Sequence, residues 1–176
     1  PDPVPGRFNI GLLHTNCGGW SEHERYAPST VGGLVARGYD YWALGHVHER
    51  RILRDGDPWI VYPGNPQGRQ ARESGPRGCY VVQVDGGSVS AVTPHDLDVL
   101  RWVTCPVDVS TCVEPLEALD RVEDALGAIA TEGRMMAARV IVEGETEAHE
   151  SLVAHAPHWD GLLRERIADR FLDEIW

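Results

Sequence analysis

Residues 41–48 read Tyr-Trp-Ala-Leu-Gly-His-Val-His. Four apolar residues running straight into a glycine describe a short buried strand that empties into a loop at Gly45. Residues 8–14, Phe-Asn-Ile-Gly-Leu-Leu-His, have the same layout, with a second apolar run ending at His14 before Thr15-Asn16-Cys17-Gly18-Gly19. Between the two, Ser29 or Thr30 can cap a short helix reaching about Arg37, with Gly38 as its stop. Strand, helix, strand is an α/β pattern, and such sheets build their sites at the carboxyl ends of strands.

Downstream the pattern changes. Residues 51–54 and 59–62 predict two strands around an Asp55-Gly56 turn, and 79–84 with 89–92 repeat the layout around Asp85-Gly86-Gly87. From Leu100 a second α/β pattern begins. Residues 101–107 alternate as a strand; Leu116, Leu119, Val122, Leu126 and Ile129 form one helical stripe, with Gly133 as its stop. Residues 138–142 predict another strand, and Leu162, Leu163, Ile167, Phe171 and Ile175 stripe a last helix. The predicted class is α/β of the α+β kind, with one unit over residues 1–97 and a small βαβα unit over 98–176.

Charge supports that division. All 16 positive charges are arginine and stand against 27 acids. Residues 1–97 carry 9 Arg and 10 acids, whereas 98–176 carry 7 Arg and 17 acids, so almost all of the net −11 lies in the second unit. This balance argues against a protein that coats nucleic acid by bulk charge. Arg50, Arg51, Arg54, Arg69, Arg72 and Arg77 nonetheless outnumber Glu49, Asp55, Asp57 and Glu73 in the same stretch. They describe a local basic patch or, equally well, solvated loop arginines. No apolar run reaches the ~18–20 residues of a membrane span, and no signal peptide is visible. Four cysteines without a CxxC pair read as reduced, buried thiols of a cytosolic protein. The chain starts at Pro1 rather than Met, which suggests part of a longer protein.

His46 and His48 carry the clearest chemical signal. On an extended chain, residues two apart share a face, close enough to serve neighbouring metal ions. Gly45 leaves room for a bound ion, and His14 stands at the corresponding end of the other strand. A lone histidine more often satisfies a local hydrogen bond. Three delivered to strand ends point to a metal site.

Residues 39–50, Tyr-Asp-Tyr-Trp-Ala-Leu-Gly-His-Val-His-Glu-Arg, resemble the last metal motif of the calcineurin-like metallophosphoesterases, and more narrowly the SbcD/YhaO-type DNA repair exonucleases. Residues 62–69, Tyr-Pro-Gly-Asn-Pro-Gln-Gly-Arg, then Glu73 and Gly75-Pro76-Arg77-Gly78, are similar to the segment downstream of that motif in the YhaO group. Residues 11–16, Gly-Leu-Leu-His-Thr-Asn, resemble the penultimate ligand strand, and Tyr26-Ala27-Pro28 the start of the helix after it. The resemblance covers residues 8–103 well and the remainder only in layout. It implies that 1–97 form the distal half of a metallophosphoesterase β-sandwich and 98–176 a capping domain. It further implies that His14 and His46 bind one manganese ion and His48 a second, with Asn65 supporting the site from behind. In the family, two such ions activate a water and clamp the attacked DNA phosphodiester. The implied partners are DNA, an SbcC/YhaN-like ATPase and a second copy in a homodimer, in the cytoplasm.

The family pattern also needs Asp-x-His, Gly-Asp and Gly-Asn-His-Asp motifs, which supply a bridging Asp, an Asn ligand and the catalytic His. None stands upstream of His14, where the pattern places them, and His95 comes too late to substitute. No catalytic residue is therefore assigned, and the dinuclear site is expected to be incomplete in this chain. Arg69, Arg72 and Arg77 could grip the DNA backbone, and Trp20 could stack on a base. His23 reads as an exposed loop residue and Cys17 as packing; His149, His155 and His158 receive no chemistry. Two other functions fit the same residues: a non-catalytic adaptor for the ATPase, and a phosphoesterase acting on small nucleotides or phosphoproteins.

Overall fold

The computed structural model describes residues 1–18, 27–129, 132–171 and 175. Two compact units are present, one of Pro1–Gln67 with Pro76–Asp98, the other of Gly68–Gly75 with Val99–Trp176. The loop 68–75, grouped with the first unit in the sequence reading, thus belongs with the second.

In the first unit, β1 (Ile10–His14), α1 (Val31–Val35) and β2 (Tyr41–Gly45) are followed by β3 (Arg51–Arg54) and β4 (Trp59–Tyr62). The sheet order is β1-β2-β4-β3. β1 and β4 flank β2 in parallel, and β3 pairs antiparallel with β4. Thr30 is the residue that caps α1, its Oγ1 accepting the Gly33 N–H at 3.1 Å. The helix ends at Val35, two residues before the expected Arg37. One face of the sheet builds the core, where Leu44, Ile60 and Tyr62 are almost wholly buried beside Leu34, Trp42 and Val47. Each such side chain contributes about 1.5–3 kcal/mol on burial. Gly11 is dictated by this packing, because a Cβ there would stand 2.3 Å from the Trp42 ring. β1 differs from the sequence expectation. It is an edge strand, and Ile10 and Leu12 on its other face are 56% and 80% exposed.

β5 (Gly78–Asp85) and β6 (Ser88–Asp96) form an antiparallel hairpin longer than the sequence suggested. Gly86 and Gly87 both hold positive φ (57° and 87°), the requirement of a two-residue turn whose twist suits a hairpin. The β3–β4 connection instead uses four residues, 55–58, with a cis Asp57–Pro58 bond.

In the second unit, β7 (Leu100–Asp108) and β8 (Met135–Glu143) run parallel in nine-residue register, joined through α2 (Pro115–Gly127). α3 (His149–Ala154) and α4 (Ala156–Phe171) follow. Glu114 and Glu117 form a reciprocal capping box at the start of α2, and Pro115 occupies the first turn. The predicted stripe is rotated at its beginning. Leu116 is 51% exposed, while Ala118, Leu119, Val122 and Leu126 face the core with Cys105, Val107, Val109 and Met136. Gly133 (φ 78°) turns the chain into β8 rather than ending α2, which closes at Ala128. Ile175 lies beyond the last helix and bridges to Met136. Glu123, only 9% exposed at its side chain, is neutralised by Arg166 and Arg170 of α4. The loop 68–75 docks on β7: Gly75 N–H donates to the Trp102 carbonyl (2.8 Å) and Trp102 Nε1 to the Gly68 carbonyl (3.1 Å). These elements make the chain an α+β protein.

The corrected stripe has a direct test by denaturant unfolding. Leu119→Ala should lower stability by about 2–4 kcal/mol through a core cavity, whereas Leu116→Ala should change it by less than about 1 kcal/mol.

Candidate metal centre

Parallel pairing sets His14 directly opposite Gly45, at the carboxyl ends of β1 and β2. Thr15 N–H donates to the Gly45 carbonyl at 3.2 Å, so the pairing continues one step past the strands. The His14 ring lies across Gly45, and a Cβ on residue 45 would stand 3.0 Å from His14 Nδ1. The glycine therefore makes room for an imidazole rather than for an ion, as the sequence had suggested.

His46 follows in the left-handed region, with φ at 104°. That conformation costs a non-glycine residue on the order of 1–3 kcal/mol and persists only where the surroundings over-determine it. The same-face argument for His46 and His48 consequently fails, because the chain leaves the extended conformation at Gly45. What the turn achieves is different. It sets the His46 ring edge-on to that of His14, with centroids 5.2 Å apart and planes at 76°. His14 is exposed, and His46 and His48 are half-buried.

The loop after β1 is held from inside. Tyr62, fully buried at the end of β4, donates its O–H to the Thr15 carbonyl (2.7 Å) and accepts the Cys17 N–H (2.8 Å). Thr15 Oγ1 donates to the Ala27 carbonyl (2.6 Å) and lies 2.8 Å from Ser29 Oγ. Burial pushes the Tyr62 phenol above its ordinary pKa. Burial, with the nearby Tyr80, takes Tyr41 up to about 12. On the other side, the His48 carbonyl accepts from Arg77 Nη1 (2.6 Å) and from the Asn65 N–H (3.1 Å). Asn65 thus stands beside the histidine turn, tied to it through its backbone. Arg50 pairs with Asp96 at 2.6 Å.

Two imidazoles side by side suit part of a divalent-metal coordination sphere, since each neutral ring offers one nitrogen lone pair. The structure brings His14 and His46 together. Among the described residues, no group of three or more His, Cys, Asp or Glu side chains is close enough to hold a metal ion.

The arginines expected to grip DNA divide between the units. Arg69 and Arg72 are both exposed on the 68–75 loop, where the buried Glu73 carboxylate accepts the Arg69 N–H at 2.7 Å. Arg77 is 7% exposed and bonded to the His48 carbonyl, so it is an internal tether and not a surface contact. Trp20 and His23 lie outside the described residues. Cys17 is wholly buried in the core of the first unit, as packing requires, and Cys79 is only half-buried. Thr15, Tyr62 and Arg77 were missed as site-shaping residues; the polar run Thr15-Asn16 straight after an apolar strand was the one local signal for them.

Residues 102–176 match the family model described as metallophosphoesterase YhaO, middle domain. The chain is also 34% identical over 168 residues to a Bacillus subtilis (strain 168) protein described as "Uncharacterized metallophosphoesterase YhaO". Both comparisons relate the chain to the YhaO metallophosphoesterases. The alignment takes in 96% of the chain and 38% of the Bacillus protein, so the chain spans well under half the length of that YhaO relative. The second unit, which the sequence reading related to the family only by layout, is where the YhaO family model falls. Likeness to metallophosphoesterases implies divalent metal ions, and the His14 and His46 imidazoles offer nitrogen donors that suit them. No helix among the described residues is long and apolar enough to cross a membrane.

Tyr62→Phe removes both bonds from a buried hydroxyl and should cost about 1–3 kcal/mol in chemical denaturation. The alkaline limb has a definite sign. Tyr41 and Tyr62 keep their protons in the folded state above pH 10, where the unfolded chain loses them. Stability should therefore be level up to about pH 9.5 and fall from pH 10 toward 12, at up to about 1.4 kcal/mol per pH unit for each tyrosine.

Proposed function

We propose that this chain forms part of a metal-dependent DNA exonuclease that hydrolyses phosphodiester bonds, with His14 and His46 as ligands of one divalent ion and His48 of a second. Manganese is the proposed metal. The observation that carries the reading is the parallel register that sets His14 against Gly45 and brings the His46 ring beside it at two strand ends. When bound, such ions would polarise the phosphoryl group and activate a water. The chain's own contribution is to hold the imidazoles at fixed positions. The Tyr62 phenol fixes the turn after His14, and the contacts of the His48 carbonyl fix the turn after β2. No motif that would supply a bridging Asp or a catalytic His stands upstream of His14, where the family pattern places them, so the rest of the dinuclear site is proposed to come from outside these 176 residues.

DNA is the proposed substrate, with Arg69 and Arg72 as backbone contacts. Their position on a braced surface loop supports this reading. The arginines of α4 are poor alternatives, because Arg164 pairs with Asp160, Arg166 with Asp120 and Glu123, and Arg170 with Glu123 and Asp124. An SbcC/YhaN-like ATPase, a homodimeric assembly and a cytoplasmic location complete the proposal.

Manganese titration of the 176-residue chain should show binding that His14→Ala or His46→Ala weakens by about tenfold or more, equivalent to ~1.4 kcal/mol or more. Wild-type affinity in both variants would remove the ligand assignment. The chain alone should not digest a labelled duplex with manganese. In a full-length YhaO-family protein carrying this segment, His46→Ala and His48→Ala should reduce turnover to background while leaving the fold intact by circular dichroism.

For DNA, replacing Arg69 and Arg72 by Ala in that full-length protein should weaken binding and flatten its salt dependence, by about 0.9 in slope for each phosphate no longer neutralised. Replacing Arg164 and Arg166 should do neither. A larger effect from the second pair would assign DNA contact to the acidic unit instead.

A further inference from the structure

We propose that Arg77 is a positioning residue for the histidine turn, holding the His48 carbonyl from behind so that His46 keeps its place beside His14. The purpose of this tether rests on the metal-centre reading; its existence as a constraint does not.

The turn is under strain at His46, whose left-handed φ of 104° is stable only while both ends of the segment are held. Its near end is fixed by β-pairing at Gly45. Its far end, at His48, lies beyond the strand and is held by other means. Arg77, itself 7% exposed, donates to the His48 carbonyl at 2.6 Å, a charge-assisted and part-buried bond. The Asn65 N–H donates to the same oxygen. Gly64 (φ 77°) permits the close approach, because a Cβ there would stand 2.8 Å from the His48 oxygen.

The tether is itself anchored. The carbonyl of Arg77 accepts from Leu97 N–H (2.8 Å) and Asp98 N–H (3.3 Å), which pins the backbone at the base of the β5–β6 hairpin. Gly78 donates to the Asn65 carbonyl at 3.1 Å, and a Cβ on residue 78 would fall 1.9 Å from the His95 carbonyl oxygen. The Arg50–Asp96 pair ties the same turn to the other strand of that hairpin. A guanidinium suits the task because its planar fork is pre-organised and always charged. The hairpin therefore serves as a backstop for the histidines, and Arg77 is its contact point.

The test is residue-resolved amide hydrogen exchange on the 176-residue chain, with Arg77→Met and Arg77→Lys, followed by manganese titration of each. Arg77→Met should speed exchange at residues 46–49 by about tenfold or more, the effect of removing one charge-assisted bond, while residues 42–44 stay near wild type. Arg77→Lys keeps a donor without the fork and should give a selective rise of a few-fold. Manganese affinity should fall in the same order. If Arg77→Met does not fold, the selective rise in Arg77→Lys alone decides. No selective rise at 46–49, or an equal rise at 42–44 that lysine does not reduce, overturns the proposal. A wild-type chain that binds no manganese overturns the metal reading and leaves the exchange comparison to judge the tether.

Discussion

The register between β1 and β2 constrains everything at the candidate centre. Side chains alternate across a strand, so a slip of one residue would turn His14 toward the other face and place Leu13 opposite Gly45. The core opposes that slip. Gly11 must lie beneath the Trp42 ring, and Trp42 Nε1 is committed to the Leu34 carbonyl at 3.2 Å. Packing on one face of the sheet thereby decides which groups appear at its carboxyl end. His14 lies across Gly45 because this register lets Trp42, Leu44 and Leu13 pack into one core.

Around that register the first unit places buried polar groups where the chain must change direction. Tyr62 serves two backbone groups of the turn after β1, and Arg77 serves one in the turn after β2. A buried polar group is costly when its partner is missing, so each of these bonds favours one loop conformation over its neighbours. The strained His46 sits between these two supports. The second unit uses the same logic for stability, with the buried Glu123 carboxylate matched to Arg166 and Arg170. Those pairings absorb much of the positive charge of an otherwise acidic unit.

Family likeness and local chemistry fall at different places in the chain. The YhaO family model falls on residues 102–176, whereas the paired imidazoles lie in the first unit. Conversely, the 68–75 loop, with Arg69 and Arg72, is continuous in sequence with the histidine-bearing segment but packs with the second unit. The six arginines of residues 50–77 are thus no single patch. Arg50 and Arg51 are paired with acids, Arg77 is internal, and Arg69 and Arg72 ride on the other unit.

Local order was legible in the residues alone. The two apolar runs ending at His14 and Gly45, both hairpins and the helix capped at Thr30 follow from periodicity, glycine and capping chemistry, which act over a few neighbouring residues. The candidate ligands were legible too, as histidines at the ends of apolar runs. Tertiary structure decided the rest. Nothing near His46 in the chain announces a left-handed residue, since that conformation is maintained by contacts from Asn65 and Arg77, 19 and 31 positions away. The spacing around Arg77 does not announce its burial, which goes with a bond to the His48 carbonyl 29 positions away. Leu116 satisfies the helical period as well as Leu119 does, and only the placement of β7 and β8 exposes one and buries the other. Spacing specifies which faces a segment can present; packing against distant segments determines which of them is used.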